Sequence, residues 1–241
     1  MSMARPFVIA LTLAPLLAAP SWAQQALPQS TVCGPARVVD GDGMVIGNTS
    51  FRLHGIDAPE TDQRCLDAKC VIAACGIDAR DRLKAHIAGR EVCCVDKGSG
   101  AYGRRAAVCS VDGEDLNAWL VQEGLALAYS KYSDAYIGQE NAARAAGRGM
   151  WSGGFYAPWD QRRGAKKEVL GNQKTCSNLS ELDDEGPPSP GCAIKGNRRK
   201  DECIYHVPGD RHYGRLKMHG AGKRWFCSED EAQAAGCRRA R

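Results

Sequence analysis

A chain of 241 residues, 44% hydrophobic and 25% charged, with 27 Gly and 11 Pro, has a globular profile that excludes a coiled coil, a collagen-like repeat and a disordered acidic tail. Its length holds one large domain, or one domain with a small appendage. The formal net charge is only +4, but 12 cysteines are far more than a reducing compartment usually allows outside metal sites, and in an exported chain they form disulfides.

Residues 1–23 read as a secretory signal peptide. Arg5 is the one charge ahead of an apolar run from Phe7 to Ala19. Pro20 breaks the run, and Ser21-Trp22-Ala23 is a small-x-small cleavage site. A membrane anchor is the alternative, but the run is shorter than the ~20 residues a span needs. The expectation is therefore a secreted or periplasmic protein with no stable membrane span.

Gln24 to Thr31 is a polar leader. Arg37-Val38-Val39 reads as a strand, Asp40 to Gly43 as a turn and Met44-Val45-Ile46 as a second strand. Gly47-Asn48 is a hairpin turn, and Ser50 to Gly55 is a third strand. Ile56 to Thr61 leaves the sheet as a loop. Gly76 to Ile87 has helical spacing, with Ile77, Leu83 and Ile87 on one side and Gly89 as a stop. Glu91 to Val95 and Arg105 to Val111 are strands around the loop 97–103. Asp115 caps a helix from Leu116 to Gly124, and Tyr136 to Gly147 is another. Five short strands with helices outside predict an α+β fold built on a Greek-key barrel of the OB type.

Residues 160–191 are charged and then rich in Ser, Asp, Glu and Pro, the composition of a linker. Aromatic and apolar residues return in 192–241, ending in a short helix near Glu229 to Ala235. About 50 residues make only a small core, so the four cysteines there are expected to staple it. Charge divides the same way. Residues 24–191 carry 19 basic and 22 acidic side chains, whereas 192–241 carry 12 and 6. A basic unit beside an acidic body points to a polyanionic partner.

Chemistry-bearing groups gather at strand ends: Asp40, Asp42, Arg52, Asp57, Glu60 and Arg104. Hard cations take carboxylate and carbonyl oxygens. Arg presents a planar fork to phosphate oxygens, and a carboxylate beside a metal can orient or deprotonate water. Singly, each residue is more often a turn or a solvated face. Together, at one barrel mouth, they suit phosphodiester hydrolysis.

Their order carries a resemblance. Arg37-Val-Val-Asp-Gly-Asp-Gly43, Phe51-Arg-Leu-His-Gly-Ile-Asp-Ala-Pro-Glu60 and Tyr102-Gly-Arg104 are followed by Asp115-Leu-Asn-Ala-Trp-Leu-Val-Gln-Glu-Gly-Leu-Ala126 and Arg148-Gly-Met-Trp-Ser152. This series resembles the staphylococcal nuclease (thermonuclease) family over about residues 34–159. The resemblance implies an OB-fold nuclease that hydrolyses DNA and RNA with Ca²⁺; Mg²⁺ and Mn²⁺ are the alternative ions, and a monomer is expected. It implies Asp42 and Asp57 as side-chain metal ligands and Ala58 as a carbonyl ligand. Arg52 and Arg104 would bind the reacting phosphate, and Glu60 would act on the attacking water. Asp40 takes a supporting role, and Tyr102 and Tyr129 lie near the nucleotide.

Three positions depart from the family pattern. Gly43 and Ala58 stand where Thr is common, and the loop before Tyr102 reads Ser99-Gly100-Ala101. The resemblance to exported bacterial members also implies disulfides Cys65–Cys75 and Cys94–Cys109, leaving the pairing of the other cysteines open. The tail resembles the small "sunset" module found behind some bacterial thermonuclease domains. Four Cys with His206, His212 and His219 allow a zinc site there; without a C-x-x-C pair in an exported chain, disulfides are preferred. Two rival readings stand beside the nuclease. One is a catalytically silent OB-fold nucleic-acid binder, which has no chemical need for Glu60. The other is an envelope protein held by its basic tail.

Overall fold

Strands β1 (Thr31–Val38), β2 (Gly43–Ile46) and β3 (Thr49–Leu53) form an antiparallel meander because their apolar residues alternate. Met44 and Ile46 on β2, and Phe51 and Leu53 on β3, point to one side and are buried. The computed structural model describes residues 30–164, 168–172, 176, 187, 191–200, 202–218 and 222–240; the signal-peptide segment lies outside them.

Strand β7 (Glu91–Ser99) pairs with β1, and β8 (Arg105–Val111) pairs with β7 across an irregularity at Asp96/Gly98. Parallel pairing of β3 with β8, Arg52 opposite Ala106, closes these five strands into a mixed barrel. The α+β OB architecture is thus present, and closure leaves no free edge among these strands.

Short pieces fill the long connections: β4 (Ile56–Asp57), β5 (Cys65–Leu66), β6 (Ile72–Ala73), β9 (Glu114–Asp115) and β10 (Leu127–Ala128). Helix α1 (Cys75–Ile87) turns Ala79, Leu83 and Ile87 into the barrel core. Helix α2 (Leu116–Gln122) starts at Asp115, whose carboxylate accepts the Ala118 N–H at 3.0 Å. Its buried Asn117 accepts from Cys109 N and donates to the His54 and Ala107 carbonyls, stitching α2 to the barrel. Helix α3 (Ile137–Ala145) covers a second small core of Met150, Trp151 and Phe155.

The stretch 160–191, read from composition as a linker, is in its first part fastened to this body. Helix α4 spans Pro158–Arg162. Strand β12 (Val169–Gly171) pairs with β11 (Gly154–Tyr156), and Cys176 is bonded to Cys70. The charged residues between β11 and β12 masked this pairing, and β12 itself is only three residues long.

The C-terminal unit is a four-stranded sheet of β13 (Ile194–Arg199), β14 (Glu202–His206), β15 (Lys223–Phe226) and β16 (Arg238–Arg239), in the order β15-β13-β14-β16. Helix α5 (Glu229–Ala234) packs on it, capped by Ser228. Its core is Ile194, Tyr205, Phe226 and Ala232. Disulfides Cys192–Cys227 and Cys203–Cys237 staple it, so these cysteines offer zinc no thiolate. In the barrel Cys65 joins Cys75 and Cys94 joins Cys109. Cys33 joins Cys93, which points to the opposite side of β7 from Cys94. All twelve cysteines are paired. No helix among the described residues is long and apolar enough to cross a membrane.

Candidate active site

The turn between β1 and β2 is built to hold carboxylates inward. Asp40 Oδ1 accepts the Asp42 N–H at 3.2 Å and folds over Gly43, where a Cβ would sit 2.5 Å from that oxygen. Gly43 thus makes room for the Asp40 carboxylate. Asp42 Oδ2 then accepts the Ala58 N–H at 3.0 Å, which ties the turn to the loop after β4.

Arg52, on β3 opposite Gly43, reaches the same point. Its Nη2 donates to Asp42 Oδ2 at 2.9 Å and to Asp57 Oδ1 at 2.7 Å. One small cationic atom therefore touches both carboxylates. Glu60 follows at the end of the loop, held by a backbone approach that only glycine permits. A Cβ on Gly76, in the first turn of α1, would lie 1.7 Å from the Glu60 carbonyl oxygen. Gln63 braces the loop by accepting the Glu60 N–H and donating to the Tyr156 carbonyl at 2.6 Å.

Arg104 follows the Tyr102-Gly103 turn, in which Tyr102 adopts a left-handed conformation (φ 60°). Its Nε donates to the Ala101 carbonyl at 3.3 Å, and it makes no ion pair among the described residues. It is the site's uncommitted cation. Tyr129 stacks on Trp159 at 5.1 Å and meets Tyr132 edge-on. Tyr102, Tyr129 and Tyr132 line a cavity of about 420 Å³ whose inner wall is Arg52 and Arg104. That size and lining suit a nucleotide-sized ligand.

Two further arginines enter the cluster from outside the recognised motifs. Arg162, at the end of α4, places Nη1 2.8 Å from Asp57 Oδ1 and 2.6 Å from Glu60 Oε1, with Nη2 2.5 Å from Asp57 Oδ2. Arg224, on β15, places Nη1 2.5 Å from Glu60 Oε2. Arg162 opens a charged run, and Arg224 is one of 12 basic tail residues, so composition alone offered no signal for either.

Burial acts against charge throughout. It pushes the Asp57 carboxyl up to about 6, with Asp42 adding to the rise and Arg162 and Arg52 opposing it. Asp40 is raised by burial and by Asp42. Burial also opposes ionisation of Glu60, but Arg224, Arg162 and Arg52 together outweigh it and hold the carboxyl at about 2. Arg104 is lowered by burial and by its neighbour Arg52. The carboxylates need positive charge around them to stay ionised, and oxygens are their only donor atoms. Asp42 and Asp57, which meet at Arg52 Nη2, offer oxygens of the kind that hard divalent cations take.

The family model described as Staphylococcal nuclease homologue matches residues 50–153. The chain is 32% identical over 143 residues to the succinoglycan biosynthesis protein ExoI of Rhizobium meliloti, covering 58% of this chain and 75% of that protein. It is 34% identical over 148 residues to a micrococcal nuclease of Shigella flexneri, covering 54% and 79%. An uncharacterized endonuclease of Haemophilus influenzae is 30% identical over 131 residues, covering 52% and 68%. Arg162 and Arg224 lie beyond the residues matched by the family model.

Proposed function

This chain belongs to the staphylococcal nuclease family, and on that footing we propose that it is an exported nuclease that hydrolyses DNA and RNA phosphodiesters with Ca²⁺. The observation that carries this reading is the convergence of Asp42 and Asp57 on one cationic nitrogen, with Glu60 and Arg104 beside them at the mouth of the barrel.

In this reading Asp42, Asp57 and the Ala58 carbonyl hold the ion, with Mg²⁺ or Mn²⁺ as alternatives. When bound, Ca²⁺ supplies fixed positive charge against the charge that builds on the phosphoryl oxygens. Arg104 has free donors and takes the scissile phosphate. Arg52 turns its fork to the same phosphate once Asp42 and Asp57 are otherwise neutralised. Glu60 orients the attacking water and accepts its proton as the oxygen bonds to phosphorus and the leaving oxygen departs. Tyr102 and Tyr129 flank the sugar and base, and Asp40 holds the metal turn in shape. Preorganised donors of this kind are each worth about 10²–10³ in rate.

Export accords with twelve cysteines joined in six disulfides, the chemistry of an oxidising compartment. The protein would act as a monomer in the periplasm or medium. The test is incubation of the purified mature chain with plasmid and with RNA, in Ca²⁺ and in excess EGTA. Cleavage confined to Ca²⁺ is expected. Binding without cleavage in any divalent ion would favour the silent OB-fold binder instead.

A further inference from the structure

The catalytic carboxylates of a nuclease must meet a long polyanion, yet here they are shut in. Asp57 is 0% exposed, Asp42 3%, and Glu60 and Arg104 7% each. Arg52 and Arg162 of the body close over Asp57, and the C-terminal unit roofs Glu60 through Arg224. Between it and the barrel remains a cavity of about 120 Å³, lined on one side by Asp42, Glu60 and Arg104 and on the other by Arg198 and Arg224. That is below the ~300–1,000 Å³ of ordinary small-molecule pockets, and far below what a strand of nucleic acid occupies.

We infer that the C-terminal unit is an inhibitory cap on the catalytic site, held there by Arg224 seated on Glu60. This rests on the proposed nuclease reading of Glu60 and Arg104.

The contacts are directed. The Arg224 fork bridges the two units. Nη1 goes to Glu60 Oε2, and Nη2 goes to Glu231 Oε1 at 3.1 Å and to Thr61 Oγ1 at 3.3 Å. Nε is buried 4.0 Å from Asp62 Oδ1. Thr61 in turn donates to Glu231, and the Trp225 N–H donates to Asp62 Oδ2 at 2.7 Å. With Arg162 of α4 on Oε1 and Arg224 on Oε2, both oxygens of Glu60 already accept from an arginine, and a water on Glu60 must share them. The unit also touches Tyr102, which stays 56% exposed: the Arg198 guanidinium lies 4.3 Å from its ring centre, and a Cβ on Gly236 would lie 2.8 Å from the ring. At the rim, Arg37 on β1 meets Asp230 on α5 at 2.9 Å.

The same contacts make the cap removable. The core of the unit is its own, and the barrel's core clusters contain none of its residues. Both of its disulfides are internal, so its covalent tie to the barrel is the chain itself. An interface of ion pairs and hydrogen bonds, with no shared apolar core, resembles a transient association. The attraction within a buried ion pair is also largely offset by the cost of taking both charges out of water, so opening, which rehydrates both, loses little. A closed state built this way therefore exchanges with an open one, and the observed rate scales with the open fraction.

The test uses the full mature chain in four forms: wild type, Arg224→Ala, Asp230→Arg and the swap Arg37→Asp with Asp230→Arg. Three quantities are read: hydrogen exchange at the Trp225 amide, affinity for a fluorescent single-stranded oligodeoxynucleotide, and its cleavage in Ca²⁺. Arg224→Ala is expected to raise all three at least about tenfold, since each scales with the open fraction. Asp230→Arg alters only an exposed rim pair, so it keeps the test alive if the buried change impairs folding. It should raise all three a fewfold, the scale of an exposed ion pair, and the swap should bring them back. Faster exchange and tighter binding with no cleavage by any form would uphold the cap and reject the nuclease reading. Slower cleavage by Arg224→Ala with unchanged exchange would make Arg224 part of the catalytic machinery and overturn the cap. So would four forms that exchange, bind and cleave alike.

Discussion

The barrel and the C-terminal unit solve the same problem at different scales. The barrel closes five strands around a core from Met44 to Tyr136 and covers it with helices. The unit of about 50 residues has four short strands, one α-helix and six buried core residues, and it relies on two disulfides. Each buries its apolar side chains against itself. What they share is charge, so their stabilities should separate while their active-site chemistry does not.

The largest expected effect breaks one side of that comparison. Phe226→Ala empties the centre of the small unit, where the ring is 1% exposed, and should cost that unit about 3–5 kcal/mol. In urea unfolding followed by near-ultraviolet circular dichroism, the barrel transition should stay in place. A matching loss in the barrel would show one shared core instead. Arg104→Ala comes next, on the barrel side. It should lower cleavage about 10²–10³-fold with the fold intact, and a loss under tenfold would remove Arg104 from the chemistry.

Asn117→Ala sharpens the picture of the barrel itself. It leaves Cys109 N and the His54 carbonyl without their partner and should destabilise the barrel by about 1–3 kcal/mol. The transition of the small unit should not move. Smallest is the paired loss of helix caps, Asp115→Ala on α2 and Ser228→Ala on α5, at about 0.5–2 kcal/mol each. Each should appear only in its own unit's melting transition, measured by calorimetry. Equal shifts in both transitions would join the units thermodynamically.

Much of the barrel was legible from the sequence because burial there is one-sided. Met44, Ile46, Phe51 and Leu53 recur at every second position, with the less buried Val45 and Arg52 between them, and a slip by one residue would expose all four. The Asp-Gly-Asp turn and the Arg52 to Glu60 segment were legible by resemblance, since their spacing serves the site. Arg162 and Arg224 were not. A buried arginine and a solvated one look alike in composition, and only a distant carboxylate tells them apart. Gly76 was hidden for a similar reason, because its need comes from the Glu60 carbonyl sixteen positions earlier. Strand β12 is too short for a periodic signal, and the Cys70–Cys176 bridge spans 106 positions, which no local pattern encodes.

The central claim is that Glu60 drives hydrolysis at a site the barrel builds and the small unit covers. The most direct measurement is the single-turnover cleavage rate of a single-stranded oligodeoxynucleotide in saturating Ca²⁺ by Glu60→Gln beside wild type, with near-ultraviolet circular dichroism as the check on folding. The account predicts a loss of at least about 10²-fold with an unchanged spectrum. Turnover equal to wild type would contradict it.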